Sequence, residues 1–322
     1  MNTLLAIDGG GTGTRVFLLY EDGRVIARGD SGPSNFHNAG EQEAVDHICQ
    51  AVRRAFSSLG KSPSQVAGVF AGLAAMKSSA DRARMTAALE SRGLAVPGSL
   101  VVQSDVFNAH AGGFAGAPGI VVIAGTGSFC FGRDSLNQTS ACGGWGWFLG
   151  DEGAAFGLGA DALRRAVRAA DGREAGSALL ASALSFFQIT DPDEIPARLY
   201  SGGNRTPAVA AFAEVVIQLA REGDAGALGV LEKGVQHLAE LVAVVDSQLQ
   251  FPEGAEVVLL GGCARSGAPY QPLLEQTIRY RCPGIRLVEP RGDSEFGACW
   301  NALRLAHPGL PVADLPDISR HY

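Results

Sequence analysis

The chain has 322 residues, of which 46% are hydrophobic and 18% charged, with a net charge of -7. That length suits two domains, and the composition excludes general disorder. An acidic balance without a basic face or Lys/Arg run excludes nucleic acid and acidic membrane surfaces as partners. No uncharged apolar run approaches the ~20 residues of a membrane helix, and Met1-Asn2-Thr3 is no basic leader, so the cytoplasm is the expected compartment. Cys49, Cys130, Cys142, Cys263, Cys282 and Cys299 are scattered without C-x-x-C or zinc spacing, and read as reduced, mostly buried small residues.

From the N-terminus, the apolar run Leu4-Leu5-Ala6-Ile7 ends at Asp8-Gly9-Gly10-Gly11-Thr12-Gly13-Thr14 and resumes at Val16. The second run is β-branched and aromatic up to a turn at Glu21-Asp22-Gly23, so this is a β-hairpin. A P-loop or a dinucleotide fingerprint would open a helix instead. Glycines at its tip bring N–H groups close to a ligand, and threonine hydroxyls add donors for phosphate oxygens. Residues 24–29 read as a third strand and residues 31–37 as a polar loop containing Asn35. Apolar spacing at Ala44, Val45, Ile48, Val52, Ala55, Phe56 and Leu59 predicts a helix over 41–59. A buried strand at 66–73, a serine-capped helix over 79–92 and a strand at 100–103 follow. That last strand ends at Ser104-Asp105, with a helix opening from Val106.

A second strand, Gly/Thr turn and strand occupies Gly119 to Gly132, with Gly125-Thr126-Gly127-Ser128 at its tip. Two such hairpins about a hundred residues apart imply two related halves gripping one nucleotide. After it come Cys142-Gly143-Gly144-Trp145-Gly146-Trp147-Phe148, then Gly150-Asp151-Glu152-Gly153, then a helix over 154–170. Helical material to 200, a helix over 206–222 opened by Thr206-Pro207 and a long amphipathic helix over 225–249 follow. The apolar run Val257-Val258-Leu259-Leu260 ends at a third glycine pair, Gly261-Gly262. A helix from 270, a strand at 285–288 and a helix opened by Asp293-Ser294 close the chain. The boundary between halves is placed at 116/117, with the last helix packing back on the first half.

Taken in order, Ile7-Asp8-Gly9-Gly10-Gly11-Thr12, Ala124-Gly125-Thr126-Gly127-Ser128, Gly143-Gly144-Trp145-Gly146 and Gly150-Asp151-Glu152-Gly153 resemble the N-acetylglucosamine and glucosamine kinase family. That family belongs to the BadF/BadG/BcrA/BcrD ATPase group of the actin–hexokinase–Hsp70 superfamily. The resemblance implies an α/β fold of two ribonuclease-H-like lobes, as in actin- and hexokinase-type ATPases, with an interlobe cleft. It implies ATP and Mg²⁺ as cofactors and phosphorylation of an amino sugar at its 6-hydroxyl, and it is compatible with a homodimer. Phosphoryl transfer needs neutralised phosphate charge and an acceptor hydroxyl in line. The amides around Gly10, Gly11, Thr12, Gly125, Thr126 and Gly127 meet the first need, and Asp8 suits Mg²⁺ held through water. Asp105, at a strand end, is either a helix cap or the base for the sugar hydroxyl, and the resemblance maps the family's base onto it.

Asn35, Ser128, Gly144, Trp145, Gly146 and Asp151 are the remaining candidate sugar residues, and Asn35 is otherwise an ordinary turn residue. Trp147 and Phe148 are assigned to packing. Gly261 and Gly262 match the family's adenosine-side turn, where a missing side chain lets the purine lie flat. Phe129 stands where some family members carry Asn, which removes a polar contact from the expected acyl pocket. The alternative is an ATP-hydrolysing activator of a CoA-ester reductase or dehydratase, which shares the hairpins but holds an iron–sulfur cluster through cysteines.

Overall fold

The computed structural model describes residues 2–57, 59–60, 66–95, 98–201, 206–310 and 315–320. Contacts divide the chain into two units, Met1–Ala117 with Pro290–Tyr322, and Pro118–Glu289. The first unit begins with the antiparallel strands β1 (Thr3–Gly9), β2 (Thr14–Tyr20) and β3 (Arg24–Ser31). A short helix α1 (Phe36–Ala39) and the longer α2 (Glu41–Phe56) follow. Then come β4 (Gly68–Leu73), α3 (Ser79–Ser91), β5 (Leu100–Ser104) and α4 (Val106–Phe114). The Ser78 hydroxyl accepts the Asp81 N–H at 3.0 Å and so caps α3.

The second unit contains β6 (Gly119–Ala124), β7 (Ser128–Arg133), β8 (Thr139–Gly143), α5 (Ala155–Ala170), α6 (Ala178–Phe187) and α7 (Ile195–Tyr200). It continues through α8 (Thr206–Arg221), α9 (Ala225–Gln248), β9 (Glu256–Leu260), α10 (Tyr270–Arg281) and β10 (Arg286–Leu287). The chain then returns to the first unit with α11 (Ser294–Ala306) and β11 (Ser319–Arg320).

The strand orders are β11-β3-β2-β1-β4-β5 and β10-β9-β6-β7-β8. Apart from the edge strand β11, the two sheets repeat one plan: a three-strand antiparallel meander whose first strand is extended by two parallel strands. This is the duplicated ribonuclease-H-like arrangement. The strand β8, not anticipated from Thr139-Ser140-Ala141-Cys142-Gly143, completes the repeat. Everything after residue 290, assigned from sequence to the second half apart from its last helix, clusters with the first unit.

The alternation along β1 decides where its last carboxylate points. Leu5 and Ile7 pack with the α2 side of the sheet, while Leu4 and Ala6 pack against Ala298, Cys299, Ala302 and Leu303 of α11. Successive residues of a strand face opposite sides, so Asp8 follows Leu4 and Ala6 toward α11. Among the described residues, no helix is long and apolar enough to cross a membrane.

Candidate active site

In the first unit, the hairpin between β1 and β2 closes with Gly10 N–H donating to Gly13 O at 2.9 Å. Gly11 and Thr12 stand exposed at its tip. No atom lies within 4 Å of a side chain built at Gly11, so its face of the turn is open. The loop 32–35 is tied to this hairpin: Thr14 Oγ1 donates to Gly32 O (2.8 Å) and Ser34 N–H to Gly10 O (3.1 Å). Asn35 caps α1, its Oδ1 accepting the His37 N–H at 3.0 Å. The turn role weighed from sequence is thus present, and it occupies only one end of the amide.

The Ser34 hydroxyl is buried without a hydrogen-bond partner and lies where a side chain on Gly9 would sit. A buried hydroxyl left unpaired is destabilising, so Ser34→Ala is expected to hold or raise stability by about 1 kcal/mol. A lower urea midpoint in the variant than in the wild type would show that the hydroxyl is satisfied.

Asp8 is almost fully buried. Its Oδ1 accepts from Asn108 Nδ2 (2.9 Å), its Oδ2 accepts from Ser294 Oγ (2.9 Å), and Arg15 stands 3.6 Å from Oδ2. Sequence reasoning found Asp8 but neither Asn108 nor Ser294.

Asp105 occupies the N-cap position of α4 with helical backbone angles, and its side chain makes no capping hydrogen bond. The usual capping bond of an N-cap side chain is therefore absent, and the carboxylate accepts from Ser104 Oγ at 3.1 Å. Surrounding protein desolvates the carboxyl although part of it meets solvent, and the negative charge of Asp8 adds to the effect. Together they raise its pKa from 3.8 to about 6 against the hydrogen bonds from the Ser104 hydroxyl and the backbone at Val106.

In the second unit, the tip between β6 and β7 closes with Gly125 N–H donating to Gly127 O at 3.1 Å. The first N–H groups of a helix need outside acceptors, and Ala154, at the N-cap of α5, offers no side-chain bond. The hairpin carbonyls fill that role: Gly125 O accepts from Ala155 (2.9 Å) and Thr126 O from Phe156 (3.0 Å). With those carbonyls engaged, the tip is fixed in place.

The loop 144–153 is pinned to the same hairpin. Ser128 N–H donates to Asp151 Oδ1 at 3.0 Å, and Ser128 O accepts from Gly144 N–H at 3.0 Å. A side chain on Gly127 would come within 2.5 Å of Asp151 Oδ1, so the small residue makes room for the carboxylate. Gly144 and Gly146 have φ of 66° and 82°, and Asp151 itself has φ of 64°, a strained region that Asp tolerates better than most residues. Gly153 packs directly on Gly234 of α9, and its carbonyl accepts from the buried Tyr270 hydroxyl. Much of the Gly-Asp-Glu-Gly signature thus holds this loop in shape. The packing assignment of Trp147 and Phe148 is corrected: they are 53% and 80% exposed, beside Trp145 at 69%. Trp147 still leans on Phe156 with ring centres 5.7 Å apart. Phe129 is half-buried on β7 opposite Gly143.

Gly261 has φ of 91°, and a side chain there would lie 2.5 Å from Ala124 O. That carbonyl accepts the N–H groups of both Cys263 and Ala264 at 3.0 Å, locking the turn after β9 against the hairpin. Gly262 has open space beside it. A cavity of about 730 Å³ runs between them, lined by Gly125, Thr126, Gly262, Ser266 and α8 residues including Ala210, Glu214 and Arg221. Its size suits a nucleotide, and the Ser266 hydroxyl at its wall is buried without a partner. The α8 wall carries no sequence motif and was missed. Burial pushes the Cys263 thiol on this wall up to about 12, so it stays a neutral packing group.

Duplicated hairpins with glycine tips, a strand-end carboxylate and a nucleotide-sized cavity define an α/β ATPase of the actin–hexokinase type. The family model for BadF/BadG/BcrA/BcrD ATPases matches residues 5–300, and the chain belongs to that family. It is similar to an N-acetylmuramic acid/N-acetylglucosamine kinase of Clostridium acetobutylicum, at 27% identity over 92% of this chain and 97% of that one. An N-acetyl-D-glucosamine kinase of Dictyostelium discoideum is 24% identical over 93% of this chain and 97% of that one. Among solved structures, a Chromobacterium violaceum protein assigned as an N-acetylglucosamine kinase is 28% identical, with a TM-score of 0.75 over 94% of this chain and 99% of that one.

Proposed function

We propose that this protein is an ATP- and Mg²⁺-dependent kinase that transfers the γ-phosphoryl group to the 6-hydroxyl of an amino sugar, N-acetylglucosamine or glucosamine. The observation that carries this reading is Asp105: a strand-end carboxyl without the usual N-cap hydrogen bond, with its pKa raised to about 6. A base works best when its pKa lies near the working pH. The full-length likeness to amino-sugar kinases supports the substrate class.

In this reading Asp105 accepts the proton of the sugar hydroxyl as its oxygen bonds to the γ-phosphorus and the bond to the bridging oxygen of ADP breaks. The hairpin amides of Gly10, Gly11, Thr12, Gly125, Thr126 and Gly127 hold phosphate oxygens, and the turn at Gly261 and Gly262 with the α8 wall takes the adenosine. Asp8 fits a magnesium ion. Each of its oxygens keeps a lone pair beyond the donors it engages. Among the described residues no group of three or more His, Cys, Asp or Glu is placed to hold a metal. An ion bound there would meet Asp8 through water and take its other ligands from phosphate and solvent, as magnesium does. When bound it supplies neutralisation of phosphate charge. Asn35, Ser128, Gly144, Trp145, Gly146 and Asp151 remain the proposed sugar residues.

The activator reading is not favoured. Five of the six cysteines, Cys49, Cys130, Cys263, Cys282 and Cys299, are buried, and among the described residues no group of three or more His, Cys, Asp or Glu is placed to hold a metal.

The reading is tested by ADP release over a panel of sugars, with NMR of the product. N-acetylglucosamine or glucosamine should stimulate release and become phosphorylated at C6, and the 6-deoxy sugar should not react. Phosphate on the anomeric oxygen would refute the 6-hydroxyl assignment. The pH profile supplies a second check. Because the unprotonated carboxylate is the active form, kcat/KM should fall up to tenfold per unit below pH about 6. A profile flat down to pH about 5 would remove Asp105 from the base role.

A further inference from the structure

The structure assigns to Asn108 and Ser294 the task of fixing the carboxylate of Asp8; this rests on the kinase reading and extends it to residues outside every motif. Asn108 is fully buried on α4, one turn beyond Asp105. Its Nδ2 donates to Asp8 Oδ1 (2.9 Å) and to Ile7 O (3.2 Å), and its Oδ1 accepts from Asn301 Nδ2 of α11 (3.2 Å). Both ends of the amide are therefore engaged, which sets its orientation. Ser294, the first residue of α11, donates to the other carboxylate oxygen at 2.9 Å.

Three small residues make this meeting possible. Gly72 on β4 stands opposite Asp8 in the sheet, and any side chain there would overlap the Asn108 amide. Gly112 of α4 and Gly297 of α11 let the two helices approach until backbone touches backbone. The strand, the helix that carries Asp105 and the last helix thus converge on one carboxylate.

A carboxylate held by one donor on each oxygen cannot rotate freely about its last torsion. Its remaining lone pairs keep fixed directions, which a water-mediated cation requires. Without those donors Asp8 is free to turn toward Arg15, already 3.6 Å away. Asn108 and Ser294 are positioning residues, since they act through Asp8. Partners of a direct metal ligand typically alter affinity about 10–100-fold, and because Asp8 would meet the ion through water the effect expected here lies at the low end of that range or below it.

The test is manganese binding to the full protein with ADP, read by electron paramagnetic resonance, alongside the Mg²⁺ activation curve for sugar-dependent ADP release. Asn108→Ala and Ser294→Ala should each weaken cation binding by about three- to tenfold. Ser294→Thr, which keeps the hydroxyl, should restore it, and kcat at saturating Mg²⁺ should change far less than the activation constant. Ser294 is only partly buried, so its series carries the test if Asn108→Ala fails to fold. Cation binding within twofold of wild type in the alanine variants, or equal loss in Ser294→Thr, overturns the inference alone. A wild-type protein with neither ADP-dependent manganese binding nor sugar-dependent ADP release overturns the kinase reading and the inference with it.

Discussion

Asp105→Asn is expected to lower kcat by about 10²–10⁴-fold while leaving the protein at least as stable as wild type. The kinetic loss follows from removing the one carboxyl proposed to take the proton of the acceptor hydroxyl. The stability gain follows from linkage. The folded-state pKa of about 6 lies above the ordinary 3.8, so between these values the folded protein binds more protons than the unfolded chain. Stability therefore falls as pH rises through this window and stays lowered above it. A shift of this size corresponds to about 3 kcal/mol, and partial solvent contact cuts that to about 1–2 kcal/mol. Asn carries no charge to desolvate and keeps the Ser104 contact. Steady-state rates and thermal melts at pH about 7 and about 4 check both halves. A variant that melts well below wild type at neutral pH, or that turns over within a few-fold of it, contradicts this account.

The second large effect separates two adjacent glycines. Gly261→Ala places a side chain in the left-handed region, 2.5 Å from Ala124 O, in the turn that backs the second hairpin. Backbone strain of about 1–3 kcal/mol is expected, so the melting temperature should fall, and KM for ATP should rise as the turn shifts to relieve the contact. Gly262→Ala meets no protein atom within 4 Å and should melt like wild type. If the purine lies flat on that face, its KM for ATP should still rise. An unchanged KM in Gly262→Ala would show that the nucleotide does not use this turn.

Local signals carried much of this chain. The hairpins were legible because apolar runs broke at glycine and threonine, and strand alternation oriented Asp8 once its neighbours were known. The residues that hold Asp8 were not legible. Asn108 sits in an unremarkable helical stretch, and Ser294 lies 286 positions along the chain from Asp8. Only the return of α11 to the first sheet brings them together. The α8 wall of the cavity was hidden for the same reason: Ala210 and Glu214 look like any amphipathic helix surface. Trp147 and Phe148 misled in the opposite direction, because large aromatics are usually buried. Here a loop fixed by Gly144, Gly146 and Gly153 holds them in solvent.

The most direct test of the central claim follows the γ-phosphoryl group itself by phosphorus NMR, with ATP, Mg²⁺ and N-acetylglucosamine or glucosamine. The account predicts that the γ-phosphate signal is replaced by a sugar 6-phosphate at the rate ADP appears, and that Asp105→Asn suppresses both. Inorganic phosphate formed at a rate indifferent to the sugar, with no phosphorylated sugar, would contradict it.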